Sequence, residues 1–223
     1  VPVAEKLALL GDAAREIKKQ PKVFMAMAVL GFHSEDKYFA SSEGSSIQQL
    51  IVQTNGNLNA NAIDVARRLS KNRGYIPPPL ATGWESVAQM NLKENAQRIR
   101  EEVVEHLMPP PVKPGKKDLV LMPSHLCLTI HESIGHPTEL DRALGYEANF
   151  AGTSYNTVDK LQKARIASEI VNVNGDRTTP GGLSTVAYDD DGVRTSKFPI
   201  ISKGIFSGYE TFRDQPHLIS EKQ

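Results

Sequence analysis

The chain has 223 residues, of which 39% are hydrophobic and 23% are charged, a composition typical of a globular protein rather than a disordered one. Its 26 Lys and Arg residues balance 26 Asp and Glu residues, so it lacks the basic excess typical of proteins that bind nucleic acid through phosphates. No apolar run approaches the roughly 20 residues that a membrane-spanning helix needs, and the charged N-terminal segment is not typical of a signal peptide. The single cysteine, Cys127, cannot form an internal disulfide, which favours a reducing, cytoplasmic location.

The first part of the chain predicts an α+β arrangement. Apolar residues recur at helical spacing over residues 3–19, which predicts an amphipathic helix that ends before Pro21. Three strand-like runs follow, and Glu43-Gly44-Ser45 between the last two is typical of a hairpin turn. Connections this short exclude parallel crossovers, so we expect an antiparallel meander. The three runs are residues 22–33, 36–42 and 46–55.

A second apolar stripe predicts one continuous helix from Trp84 to Leu107. Thr82 or Gly83 is suited to begin this helix, and Pro109 ends it because proline cannot continue a helix. The proline-rich run that follows is typical of a stiff linker. We therefore expect three parts: an N-terminal α+β domain (1–108), the linker (109–117) and the start of a C-terminal domain (118–223).

Beyond the linker, short strands and turns predominate. Residues 118–122 are apolar and predict a short strand, and Ser124 is suited to cap a helix that begins at His125. From about residue 165 onward, apolar runs alternate with turn residues such as Asn174-Gly175-Asp176. The predicted fold class is α+β: an N-terminal antiparallel sheet with helices, followed by a mostly antiparallel β domain that carries one short helix.

The short helix contains the most chemically distinctive run of the chain, His131-Glu132-Ser133-Ile134-Gly135-His136. Neutral imidazole nitrogens are common zinc ligands, and a carboxylate beside the first ligand can take a proton from water. His131 and His136 are therefore candidate metal ligands, and Glu132 is a candidate general base. Two solvated histidines at a helix end are the alternative interpretation.

The spacing of the two histidines predicts a local distortion. Histidines four residues apart lie about 40° from each other around an α-helix, whereas a spacing of five places them about 140° apart. Gly135 loosens the backbone just before His136, and Pro137 disfavours a helical conformation at His136. We therefore expect His136 to lie on a distorted final turn rather than on a regular helix.

A longer stretch around this motif, LTIHESIGHPTELD over residues 128–141, resembles the core signature of the TldD/PmbA family, also described as modulators of DNA gyrase. Several downstream runs resemble strands of the same family, and the meander near Ser42-Glu43-Gly44 is similar to its N-terminal domain. These downstream runs are residues 168–170, 187–192 and 203–209. The resemblance spans nearly the whole chain and is tightest from residue 118 to residue 214.

The resemblance implies a zinc metallopeptidase that hydrolyses short, unfolded peptides inside a barrel-like dimer. His131 and His136 would be the zinc ligands, and Glu132 would activate the zinc-bound water as general base and then act as general acid. Family members pair as homodimers, or as heterodimers of a catalytic subunit with a paralogous subunit that lacks the motif. Because this chain carries the motif, we expect it to be the catalytic, TldD-like subunit, with no nucleic-acid or membrane partner.

One part of the family pattern has no match in this sequence. The family's third protein ligand is a cysteine far toward the C-terminus, and no residue up to Gln223 matches it, so we expect the chain to be C-terminally truncated. Cys127, four residues before His131, is an alternative ligand, although core packing is more common for a free cysteine. Glu139 and Asp141 follow the helix, and either of them could orient a ligand histidine or be a solvated loop residue.

Two classes of function are consistent with these features. The first is a metallopeptidase with Glu132 as its general base. The second is a non-catalytic peptide-binding or assembly subunit that keeps the same fold with an incomplete metal site. Modulation of DNA topology through direct contact with nucleic acid fits poorly with zero net charge and no clustered basic stripe.

Overall fold

The computed structural model describes residues 1–219 and shows the expected α+β class, with helices and antiparallel strands in both halves of the chain. Two compact units can be distinguished. The first unit contains residues 1–36, 50–119 and 181–183, and the second contains residues 37–49, 120–180 and those from 184 onward. The domain limits expected from the sequence, at residues 109–117, stay a prediction.

The first unit is built on a three-stranded sheet with the order β1-β2-β3. The expected first helix is confirmed as α1 (Val3–Lys18). The runs predicted as separate strands at residues 22–33 and 36–42 form one strand, β1 (Val23–Ala40), so the predicted break between them is wrong. β1 stays extended because the intervening residues, His33 to Asp36, contain neither glycine nor proline to turn the chain.

The second strand is longer than the sequence predicts. β2 covers Ser46–Asp64 and pairs antiparallel with β3 (Leu69–Tyr75), whereas a strand ending at residue 55 was expected. Asparagine and glycine are depleted in strands, which is why the pattern beyond residue 55 did not predict one. Every second residue of this part is nonetheless buried, and the alternating asparagines point to the other face of the sheet. The buried residues are Thr54, Gly56, Leu58, Ala60 and Ala62, and the asparagines are Asn55, Asn57, Asn59 and Asn61.

The predicted hairpin turn between β1 and β2 is confirmed. The N–H of Ser41 donates to the carbonyl of Ser45 at 3.1 Å, and the N–H of Gly44 donates to the carbonyl of Ser41 at 3.2 Å. Gly44 has a φ of +93°, a backbone conformation that favours glycine.

The continuous helix predicted from Trp84 to Leu107 is wrong, because two helical segments meet at Asn91. A 3₁₀ segment (Trp84–Met90) follows Gly83, and α2 (Leu92–Glu105) begins after Asn91, which has a φ of +47°. Asparagine adopts this left-handed conformation more readily than most residues. The apolar stripe continues across the break, so hydrophobic periodicity alone could not reveal it. Helices and sheet share one core, whose fully buried members include Ile17, Leu58, Ile99 and Val103.

The chain segment that leads into the second unit differs from the prediction. Residues 118–122 form no strand, and their apolar side chains are exposed, with Val120 at 89% and Leu119 at 80% of their full accessible surface. The next helix, α3 (Pro123–Ile130), begins two residues before His125, and Ser124 is not its cap. Pro123 occupies its first turn, where a missing N–H costs no helical hydrogen bond.

The rest of the second unit combines short helices with a small sheet. The chain runs from α3 through a distorted turn into α4 (Leu140–Ala143). The sheet has the order β4-β5-β6 and consists of β4 (Val173–Asp176), β5 (Lys197–Ser202) and β6 (Ile205–Phe206), paired antiparallel. Leu140, Phe206 and Tyr209 form the buried centre of this unit. Among residues 1–219, no helix combines the length and the apolar character needed to traverse a bilayer.

Candidate metal centre

The segment between α3 and α4 is distorted as the sequence predicts. Residues His131–Gly135 form a π-helical turn, in which the N–H of His136 donates to the carbonyl of His131, five residues earlier. A 3₁₀ turn (His136–Thr138) follows directly. An i to i+5 hydrogen bond widens the helix, so residues five apart come close to stacking above one another. The predicted distortion at His136 is therefore confirmed.

This distortion brings the two imidazole rings together. The ring centroids of His131 and His136 are 4.1 Å apart, and the ring planes meet at 64°. One ligand atom from each of His131, Glu132 and His136 can be chosen so that all three lie within 4.8 Å of one another. The structure thus brings together the three residues singled out in the sequence, while their roles as ligands and base stay a prediction.

Hydroxyl groups hold the carbonyls that the distorted turn leaves outside regular helical hydrogen bonding. The hydroxyl of Tyr155 donates to the carbonyl of Ser133 at 2.7 Å. The hydroxyl of the fully buried Thr138 lies 2.8 Å from the carbonyl of Ile134 and 3.0 Å from that of Gly135. These contacts stabilise the turn that positions both histidines. Sequence reasoning missed Tyr155 because this contact joins it to a carbonyl 22 residues earlier.

The structure distinguishes between the two carboxylates that follow the motif. Glu139 Oε1 lies 2.9 Å from His136 Nδ1, whereas Asp141 accepts the backbone N–H of Arg142 at 2.7 Å. Glu139 Oε2 also lies 3.3 Å from Arg142 Nε. Of the two residues, Glu139 is the one in contact with a candidate ligand.

A further carboxylate near the site, Glu210, could not be recognised in the sequence. Its N–H donates to the carbonyl of Thr138 at 2.8 Å, and its carbonyl accepts the N–H of Leu140 at 2.9 Å. Although the residue as a whole keeps an exposed surface, desolvation of its carboxyl and the nearby charge of Glu139 raise the pKa of Glu210, against the opposing influence of the two imidazoles. No local pattern signals this residue, because its contacts are made by chain segments far apart in sequence.

Cys127 is neither packed in a core nor part of the candidate ligand group, in contrast to both interpretations of the sequence. Its side chain is exposed rather than packed in a core, and its thiol donates to the carbonyl of Ser124 at 3.4 Å. Among residues 1–219, the group that could hold a metal ion contains His131, Glu132 and His136 and does not include this cysteine.

A cleft of about 1220 Å³ lies beside the candidate ligands in the second unit, and His131 is part of its lining. The whole of β4 lines the cleft, as do Phe198 of β5 and Glu210. Hydrogen bonds from the side chain and backbone of Thr178, with a contribution from Lys197, lower the pKa of Asp176 to about 2. The cleft therefore contains polar, charged and apolar groups within reach of one extended ligand.

The donor set fits zinc. Zinc takes nitrogen from neutral imidazoles and oxygen from carboxylates at about 2.0–2.2 Å, so two ligand atoms on one ion are at most about 4 Å apart. Small side-chain rotations would bring the two imidazole nitrogens, which lie within 4.8 Å of each other, into that range with the carboxylate of Glu132 beside them. The side chains of His131 and Glu132 are 55% and 61% exposed, which leaves room for water or substrate at the same ion.

Comparisons with known proteins find similar sequences and similar folds. Residues 114–215 match the model of the PmbA/TldA metallopeptidase C-terminal domain. Two curated relatives are named as metalloproteases. Metalloprotease MJ0996 from Methanocaldococcus jannaschii is 29% identical over 183 residues, covering 78% of this chain and 36% of the relative. The zinc metalloprotease TldD homolog from Saccharolobus solfataricus is 27% identical over 184 residues, covering 82% of this chain and 36% of the relative.

Solved structures share the fold. A candidate modulator of DNA gyrase from Thermotoga maritima, TM0727, has a TM-score of 0.78 and 19% identity, covering 100% of this chain and 48% of that one. TldE from Thermococcus kodakarensis has a TM-score of 0.63 and 16% identity, covering 96% of this chain and 45% of that one. Residues 114–215 are thus similar in sequence to the TldD/PmbA family, and the solved structures support the same fold. It spans about a third of the length of the two curated relatives.

Proposed function

We propose that this protein is a zinc-dependent metallopeptidase in which His131 and His136 hold the zinc ion and Glu132 is the catalytic base and acid. The observation that supports this proposal most directly is the convergence of the two imidazole rings, 4.1 Å apart, on a π-helical turn with a carboxylate beside them. Two solvated histidines at a helix end would need no such convergence. The metallopeptidase names of the relatives are consistent with the same assignment.

The chemistry assigned to the chain's own groups is proton transfer and orientation. Bound zinc would polarise the carbonyl of the scissile peptide bond and increase the acidity of water at the site. Glu132 then takes a proton from the attacking water as its oxygen bonds to the carbonyl carbon. When the carbon–nitrogen bond breaks, Glu132 delivers that proton to the departing amine. His131 and His136 hold the reacting groups beside this carboxylate.

The substrate class we propose is short, unfolded peptides. An extended peptide can bind by adding a strand to a sheet edge, with backbone hydrogen bonds that do not depend on its sequence. Within the described residues, β4 pairs with β5 on one side, and β4 also lines the cleft that contains His131. A peptide along β4 would therefore run past the candidate metal centre. We further propose a cytoplasmic location and a homodimer, or a heterodimer with a paralogous subunit. Light scattering of the purified protein would test the homodimer.

The test of the catalytic proposal is a comparison of Glu132→Gln with the wild type. Amide replaces carboxylate at nearly constant shape, so zinc content should be retained while kcat/KM on an unstructured peptide falls by about 10²–10⁴-fold, the usual contribution of a general base. Glu169→Gln, an exposed acidic residue elsewhere in the second unit, is the matched control and should leave cleavage unchanged.

Zinc content is measured by metal analysis and cleavage by mass spectrometry of the products. Unchanged cleavage in Glu132→Gln would remove Glu132 from the mechanism. If the wild type retains no zinc and cleaves no peptide, the alternative of a non-catalytic peptide-binding or assembly subunit replaces the enzymatic proposal.

A further inference from the structure

We propose that Glu139 is a positioning residue that fixes the tautomer and the ring orientation of His136, so that Nε2 is the nitrogen offered to the metal. The inference rests on the proposed function for the identity of the ion. His136 Nδ1 and Glu139 Oε1 are 2.9 Å apart, a distance typical of a hydrogen bond to a charged acceptor. An ionised carboxylate can only accept a hydrogen bond, so the ring proton lies on Nδ1 and the lone pair lies on Nε2.

The backbone holds Glu139 firmly in place. The residues on either side of it, Thr138 and Leu140, are both completely buried. Each of them is hydrogen-bonded to the backbone of Glu210, through the carbonyl of Thr138 at 2.8 Å and the N–H of Leu140 at 2.9 Å. Glu139 therefore projects from a segment that is fixed on both sides, which is the condition for orienting another side chain.

The second oxygen of Glu139 forms an ion pair with Arg142. Glu139 Oε2 lies 3.3 Å from Nε of Arg142, whose side chain is only 14% exposed. Arg142 also forms an ion pair with Glu147 at 3.0 Å and donates to the carbonyl of Ala151 at 3.2 Å. The imidazole is within hydrogen-bond distance of one oxygen of Glu139, and the guanidinium forms an ion pair with the other, so rotation of Glu139 would disturb both contacts.

Residues that play this role are common around metal sites. A ligand histidine usually donates its second ring N–H to a carboxylate or a carbonyl, and loss of that partner typically weakens metal affinity by about 10–100-fold. Among the acidic residues near the motif, Glu139 is the one whose hydrogen bond to a candidate ligand the structure shows. Its effect on the metal is exerted through His136.

The experiment compares Glu139→Gln with Glu147→Gln. The second variant removes charge from the other carboxylate paired with Arg142 and leaves the contact to His136 in place. ¹⁵N-resolved NMR of the metal-free protein in mildly alkaline solution reports which nitrogen of each neutral imidazole carries the proton. Zinc titration against a competing chelator then measures the dissociation constant of each variant.

We expect the wild type and Glu147→Gln to show His136 protonated at Nδ1. Glu139→Gln should show a mixture of tautomers, because an amide can both donate and accept. Zinc binding should weaken by about 10–100-fold in Glu139→Gln and stay within about twofold of wild type in Glu147→Gln.

The proposal is overturned if wild-type His136 carries its proton on Nε2, a measurement that does not depend on the folding of any variant. Equal loss of zinc affinity in the two variants would also overturn it, because Arg142 and not the contact with His136 would then be responsible. A wild type with the Nδ1 tautomer that takes up no zinc supports the positioning role and refutes the proposed function.

Discussion

His131 and His136 show how a single backbone hydrogen bond changes the chemistry available to two side chains. On a regular α-helix their spacing of five would direct the rings about 140° apart. The bond from the N–H of His136 to the carbonyl of His131 widens the turn, and the ring centroids lie 4.1 Å apart. Changes within this turn should therefore act on metal binding through the geometry of the ring pair.

A Gly135→Ala variant would test whether glycine itself is needed for the distorted turn. Its φ of −52° and ψ of −74° lie near the ordinary helical region, and an added Cβ would be 3.8 Å from Nδ1 of His131, an ordinary contact distance. We expect Gly135→Ala to keep zinc affinity within about threefold and to leave the free energy of unfolding unchanged or raised by up to about 1 kcal/mol. Urea denaturation and zinc titration measure these two quantities.

A large loss of zinc affinity in Gly135→Ala would show that alanine's stronger helix propensity straightens the turn. Gly145→Ala provides the contrast, because Gly145 has a φ of +84°, where any Cβ is strained. That variant should lose stability without a specific effect on zinc.

The π-helical turn is stabilised in part by hydroxyl groups of side chains outside it. Tyr155 supplies a hydroxyl to the carbonyl of Ser133, and Thr138 supplies one to the carbonyls of Ile134 and Gly135. A carbonyl released from regular helical bonding is costly where it is buried without another donor, whereas the exposed carbonyl of Ser133 can also accept from water. These hydroxyls therefore favour the distorted turn over a regular helix at the same place.

Tyr155→Phe should weaken zinc binding although Tyr155 is not a candidate ligand. One hydrogen bond contributes about 0.5–1.5 kcal/mol, so we expect the zinc dissociation constant to rise by about two- to tenfold. Tyr146→Phe is the control, since Tyr146 belongs to the same unit and is 67% exposed. Zinc titration of both variants checks the prediction, and equal affinities would show that the turn holds its shape without Tyr155.

The two units of the molecule do not follow the order of the chain. The tip of the β1–β2 hairpin, residues 37–49, belongs to the second unit. There the side-chain oxygen of Gln49 accepts the N–H groups of Ala187 at 3.0 Å and Tyr188 at 2.9 Å, and its nitrogen donates to the carbonyl of Tyr188 at 3.0 Å. Lys37 pairs with Asp190 at 2.5 Å in the same region. Segments about 140 residues apart are thus joined by polar contacts.

Gln49→Ala should destabilise the second unit, because it leaves two N–H groups and one carbonyl without their partner. We expect a loss of about 1–3 kcal/mol in the free energy of unfolding. Gln53→Ala, a change on the same strand, removes one exposed hydrogen bond, to the carbonyl of Leu183, and should cost about 0.5 kcal/mol or less. Urea denaturation followed by amide hydrogen exchange would locate the loss, and equal effects of both changes would contradict the assignment.

Much of the candidate site could be predicted from the sequence because its chemistry is local. His131, Glu132 and His136 lie within six consecutive residues, and their spacing predicts the distortion at His136. The reason given for it, a non-helical backbone at Gly135 and His136, is wrong, because both residues keep helical backbone angles and the distortion lies in the widened hydrogen-bond pattern. Glu139 and Asp141 remained equivalent in the sequence, because only the direction of each side chain shows which one reaches an imidazole.

The errors in the predicted fold have two physical origins. Hydrophobic periodicity records which residues are buried, and burial continues across the break at Asn91, so periodicity cannot report the backbone angle of that residue. Beyond residue 55 of β2, asparagine and glycine, which are depleted in strands, concealed a strand that the sheet stabilises. Likewise, the mostly apolar run at residues 118–122 has the pattern of a strand, although no neighbouring strand pairs with it within the described part of the chain.

The sequence by itself determined the α+β class, the similarity to the TldD/PmbA family and the three residues that meet at the candidate metal centre, because these depend on residue types and short spacings. Only the tertiary structure decided that Tyr155, Glu139 and Glu210 surround them. Hydrogen bonds and carboxylate contacts act over a few ångströms, and folding alone determines which distant segments come that close.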